Sequence, residues 1–146
     1  MSKELMCTLA NRTREFIQSN CKKLNLHRVG RFPKGSCETS SLLLGKILSD
    51  QFPYENIYFV QGENRLNEET HFWVQARDLI FDITADQFQE IRQPMIGESL
   101  LTMSCYFTTT EISSIQCALI KNDYSNTRIN EFQQISDIIR DIKTIL

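Results

Sequence analysis

The sequence predicts an α+β fold. Apolar residues recur at helical steps near both ends of the chain, and an apolar stretch of helical period follows Cys37. Between these lie short runs rich in β-branched and aromatic residues, bounded by Gly, Pro and polar clusters. A chain of 146 residues can bury about two-thirds of its extended surface around a single core. The expectation is one domain over residues 1–146, in which the helix that starts at Cys37 packs on a small, mainly antiparallel sheet with helices at both termini flanking it.

The elements follow in chain order. Leu5, Met6, Leu9, Phe16, Ile17 and Leu24 fall on one helical face, with Ser2 available as N-cap ahead of Lys3 and Glu4. Gly30, Pro33 and Gly35 then interrupt regular structure, so residues 25–36 read as a loop that delivers the chain to Cys37. Leu42, Leu43, Leu44, Ile47, Leu48 and Phe52 form a buried helix that Pro53 stops. NIYFVQ, ending at Gly62, is a strand, and ENRLNEET is a polar connection. HFWVQA and LIFDIT, joined by Arg77 and Asp78, read as a hairpin; Phe72, Val74 and Ala76 share one face, and His71, Trp73 and Gln75 the other. TADQF is a turn or short helix that packs Phe88 back on the sheet. SCYFT is a further strand, after which Thr109 or Thr110 caps a helix through Ile112, Ile115, Ala118 and Leu119. Ile129, Phe132, Ile135, Ile138, Ile139, Ile142 and Ile145, three or four residues apart, mark a C-terminal helix whose apolar stripe suits packing on the core.

Composition narrows the function. A net charge of −2 argues against a protein built to hold nucleic acid. Lys22, Lys23, Arg28, Arg31 and Lys34 make a local basic stretch, read first as a solvated face, although it leads directly to Cys37. The five cysteines, at 7, 21, 37, 105 and 117, contain no C-x-x-C pair, so neither a disulfide framework nor a thiolate zinc site is expected, and no cofactor or metal is implied. The N-terminus lacks the apolar core of a secretory signal, and no window reaches the roughly 20 apolar residues of a membrane span. A reducing cytoplasm is the expected compartment.

The chemistry-bearing residues are Cys37 at the start of a helix, His71 opening one strand and Asp82 near the end of the next. A thiol attacks carbonyl carbon as thiolate and needs help to ionise near neutral pH. The helix N-terminus set up by Gly35 and Ser36 would supply unpaired N–H groups, while Glu38 works against the thiolate. A hairpin would bring Asp82 beside His71, where a carboxylate fixes the tautomer and steadies the imidazolium. His27 competes as imidazole but has no accompanying acid, and Asp86 competes as acid but suits a turn cap better. The remaining cysteines read as small core residues, and Trp73 as a wall aromatic.

GSCETSSLLLGKIL, HFWV and FDIT together resemble the nucleophile helix, the His-bearing strand and the acid-bearing strand of papain-like and transglutaminase-like cysteine hydrolases, over roughly residues 35–88. The order Cys, His, Asp is similar to that of small bacterial papain-fold deamidase and protease domains of effector type. The resemblance implies Cys37 as nucleophile, His71 as general base and acid, and Asp82 as the orienting residue. It also implies a protein substrate, with room for a regulatory protein partner, and attack on a carboxamide or peptide bond through a thioester. Glutamine deamidation and peptide cleavage are favoured over transamidation. Ile83 stands where transglutaminase-like members often place proline, and no residue matches an oxyanion side chain. Two further readings are a catalytically silent binding module on the same fold and, lower, a nucleic-acid-associated regulator using the basic stretch.

Overall fold

The computed structural model describes residues 2–23, 29–122 and 127–141, with backbone only at residue 2 and residues 127–129. Its elements are α1 (Ser2–Asn20), α2 (Cys37–Gln51), β1 (Ile57–Asn64), β2 (Thr70–Ala76), β3 (Leu79–Asp82), a 3₁₀ turn (Ala85–Gln87), β4 (Met95–Ser99), α3 (Leu100–Ser104), β5 (Phe107–Ser114), α4 (Ile115–Lys121) and α5 (Thr127–Ile139). The strands form one antiparallel sheet in the order β4-β3-β2-β1-β5. The fold is thus α+β, with flanking helices. No helix among the described residues is long and apolar enough to cross a membrane.

Side-chain alternation along β2 divides the interior in two, because successive residues face opposite sides of the sheet. Val74 and Ala76 join Met6, Leu9 and Ile17 of α1, Leu43, Ile47 and Leu48 of α2, Ile115 of α4 and Phe132 and Ile139 of α5 in the larger core. On the other face, Trp73 packs with Val60, Ile80, Phe88, Met103 and Phe107. α2 lies against the sheet because its middle is apolar on every side: Leu42, Leu43, Leu44, Ile47 and Leu48 are all fully buried. At Gly45 a Cβ would run into Ile115, so this glycine lets α4 approach α2 closely. α2 stops where Pro53 requires: the Phe52 N–H still reaches the Leu48 carbonyl at 2.9 Å, and the next residue has no N–H to offer.

Several expectations need correction. Thr109 and Thr110 cap no helix; they lie in β5, paired with β1, and the helix begins after Ser114, whose hydroxyl accepts from the Cys117 N–H at 3.2 Å. Cross-strand pairing of TTTEIS with β1 outweighs the isoleucine spacing that suggested a helix. Ser104 ends α3, so the strand expected at SCYFT starts at Phe107 instead. β4 and α3 were not foreseen. The first strand runs on to Asn64, into the segment read as a polar connection. Leu24, His27, Arg28, Ile142 and Ile145, and the side chain of Ile129, lie outside the described residues.

Candidate active site

Three elements converge at the N-terminal end of α2. The loop before it turns at Gly35, whose φ of +66° would strain any L side chain. Ser36 occupies the N-cap position without a side-chain cap bond, because its hydroxyl donates instead to the Pro33 carbonyl at 2.9 Å. One turn further along α2, the Ser41 hydroxyl donates to the Phe72 carbonyl at 3.1 Å, which fixes the helix against β2 beside His71. Cys37 is half-buried and lines an open cleft of about 450 Å³, together with Gly35, Glu38, Thr39, Glu69, Thr70, Phe72 and Gln87.

His71 is fully buried. Its ring stacks on Phe107 at 4.9 Å and meets the edge of Phe88 at 4.8 Å, with Trp73 at 5.9 Å. Across the sheet His71 pairs with Gly62, where a Cβ would strike Trp73. A glycine there admits the indole that walls the imidazole. Such a pocket would expel a charge unless a partner held it.

Asp82 is that partner. It is also fully buried, and its Oδ2 lies 2.6 Å from His71 Nε2. The other oxygen, Oδ1, accepts from the Thr84 N–H at 3.1 Å and the Thr84 hydroxyl at 3.3 Å, so both oxygens are occupied. Burial alone would push the His71 pKa down. The charge and hydrogen bond of Asp82, followed by the hydrogen bond and charge of Cys37, outweigh it and raise the value to about 9.

Nε2 faces the acid, and the other ring nitrogen, Nδ1, lies 3.0 Å from Nε2 of Gln87, which lines the cleft with Cys37; Cys37 is near enough to help raise the pKa of the ring. Cys37 and Gln87 line the cleft, and the buried ring meets it through the Gln87 amide. A thiol near an imidazole whose far nitrogen is held by a carboxylate can share its proton with the ring as a thiolate–imidazolium pair and attack a carbonyl carbon.

Asp86 does not touch His71. It forms a two-pronged pair with Arg14 of α1 at 2.8 Å on both oxygens, and Arg14 also donates to the Ile83 carbonyl at 2.6 Å. Among the other thiols, Cys7 and Cys21 are half-buried, whereas Cys105 and Cys117 are exposed and so are not the core residues they were expected to be. Lys22, Lys23, Arg31 and Lys34 are exposed, as a solvated basic face requires. Among the described residues no group of His, Cys, Asp and Glu is placed to hold a metal.

Sequence reasoning missed Gln87 and Thr84. A neutral amide carries no charge pattern or periodicity, and only its position between Asp86 and Phe88 in TADQF brought it near the discussion. No protein-family model, no curated protein and no solved structure matches the chain.

Proposed function

We propose that the protein is a cysteine-dependent hydrolase or acyl transferase of papain-like or transglutaminase-like type, acting on a carboxamide or peptide bond of a protein substrate. Cys37 is the nucleophile, His71 the general base and acid, and Asp82 the residue that orients and charges His71. The observation that carries this reading is a buried imidazole held by a buried carboxylate, itself bound on both oxygens, beside a half-buried Cys37 that helps raise the ring's pKa.

The Cys37 proton passes to His71 Nδ1, and the sulfur adds to the carbonyl carbon. Backbone N–H groups at the start of α2 receive the developing oxyanion. The imidazolium then gives its proton to the departing nitrogen, leaving a thioester. Water, deprotonated by Nδ1, cleaves the thioester and restores the thiol; an amine in place of water gives transamidation. Asp82 offsets the cost of an imidazolium inside the aromatic pocket. Glutamine deamidation and peptide cleavage are the favoured outcomes.

The test incubates candidate proteins with wild type and with Cys37→Ala and reads the products by mass spectrometry. The expected result is an amide-to-acid mass shift or a new cleavage, with a transient adduct on Cys37, all absent from Cys37→Ala. Products identical in the two samples across substrates, with no adduct on Cys37, would assign the fold to a binding module.

A further inference from the structure

A second cavity, of about 140 Å³, opens beside the Cys37 cleft and shares two of its walls, Glu38 and Phe72. The sheet explains its floor. Phe72 follows His71 on β2 and so faces the opposite side, toward α2. β1 pairs Gln61 with Phe72 and Phe59 with Val74, which sets Phe59 diagonally beside Phe72. The two rings stack at 5.1 Å with 16° between their planes. β5 closes the far side with Ser113 and Glu111, and α4 with Lys121.

The charges around this cavity are not balanced. Glu111 and Lys121 pair with each other at 3.7 Å, at the exposed rim. Glu38 projects from the first turn of α2 and is half-buried, and among the described residues it has neither an ion-pair nor a hydrogen-bond partner. A carboxylate that has lost part of its hydration without a counter-charge favours a cation beside it. The helix macrodipole accounts for an acid in a first turn, but not for an open space in front of it floored by stacked rings. A guanidinium suits both walls, because it is flat enough to lie on an aromatic ring and carries forked donors that match a carboxylate. An ammonium is a compact, strongly hydrated charge with no flat face. In size the cavity approaches the roughly 150 Å³ that holds a benzene ring inside a protein, so it takes one side chain.

We propose that this cavity is a specificity subsite for an arginine side chain of the protein substrate, with Glu38 pairing the guanidinium and the Phe59–Phe72 stack beneath it. The inference rests on the proposed catalytic role of Cys37 and adds a requirement to it, an arginine close to the bond that Cys37 attacks.

The test alkylates Cys37 with three chloroacetamides that differ only at the end of a four-carbon arm on the amide nitrogen, which carries a guanidinium, its neutral urea isostere or an ammonium. In each case the sulfur displaces chloride, and each rate is divided by that with 2-mercaptoethanol, a neutral thiol. In wild type the guanidinium probe should outpace the urea probe about tenfold, as one charge-assisted pair allows, and should outpace the ammonium probe as well. Glu38→Gln removes the charge and should bring the guanidinium-to-urea ratio close to one. Ser113→Leu fills the cavity without touching a charge and should lower the ratio in the same way. Glu69→Gln alters a carboxylate that lines the cleft but not the cavity, and should keep the ratio. Thermal melting identifies the variants that are folded. A wild-type ratio near one, a ratio that survives Glu38→Gln, or an equal fall in Glu69→Gln overturns the subsite alone, provided Cys37 still outpaces the other cysteines in wild type. An ammonium probe as fast as the guanidinium one overturns the assignment to arginine. Loss of the Cys37 preference in wild type removes the catalytic reading and the subsite with it.

Discussion

Asp82 decides the charge state of His71, and its substitution is the sharpest change at a single residue. Asp82→Asn can keep a contact to Thr84 and to Nε2 but loses the charge that outweighs burial. The His71 pKa should then fall from about 9 to below its ordinary 6.5, as read by NMR titration of the ring. Cys37 alkylation at neutral pH should drop by roughly 100-fold or more. The same shift sets a stability window. A ring whose folded value is raised contributes stability that is fully present below about pH 6.5 and is lost as pH rises through about 9. Denaturant midpoints in wild type should fall across that interval, and in Asp82→Asn the fall should vanish; a slope identical in both would contradict the assignment. Cys37, His71 and Asp82 were legible in the sequence because reactive side chains at the ends of periodic segments stand out. Gln87 was not, because its contacts to the Gly35 N–H and to the His71 ring join distant parts of the chain, which no local pattern encodes.

α1 lies outside the site and yet holds part of it in place. Arg14 clamps Asp86 and the Ile83 carbonyl, and Asp82 and Gln87 flank that clamped segment. Arg14→Ala should lower unfolding free energy by about 1–3 kcal/mol and slow Cys37 alkylation several-fold, measured by denaturant titration and labelling rate. Stability loss with unchanged labelling would limit Arg14 to a structural role. The helix from Cys37 to Gln51 and the hairpin carrying His71 and Asp82 were both readable, because burial periodicity and turn residues agreed. β5 was misread because Ile112, Ile115 and Leu119 are spaced as on a helix, while what holds Thr108 to Ser114 extended is a distant strand, β1. β4 is five residues long with Gly97 at φ +74°, too short and irregular to signal itself.

At the scale of the molecule, the sheet separates a large core beneath α1, α2, α4 and α5 from a smaller aromatic cluster that houses His71. Stability and chemistry are therefore partly separable. Phe132, buried in the large core at 1% exposure, should cost about 3–5 kcal/mol when cut to alanine, lowering the thermal midpoint. The alkylation rate of Cys37 at low temperature should stay near that of wild type, since no described side chain of α5 lines the cleft. A core and sheet of this kind were foreseeable from apolar spacing, but the division of labour between the two faces needed the strand order. The central claim is that Cys37, His71 and Asp82 act as one unit, and the pH profile of Cys37 alkylation in wild type and His71→Ala tests it most directly. The account predicts that Cys37 reacts much faster than the other four cysteines near neutral pH, and that His71→Ala removes this advantage. Equal slow labelling of all five thiols in wild type, or an advantage that survives His71→Ala, would contradict it.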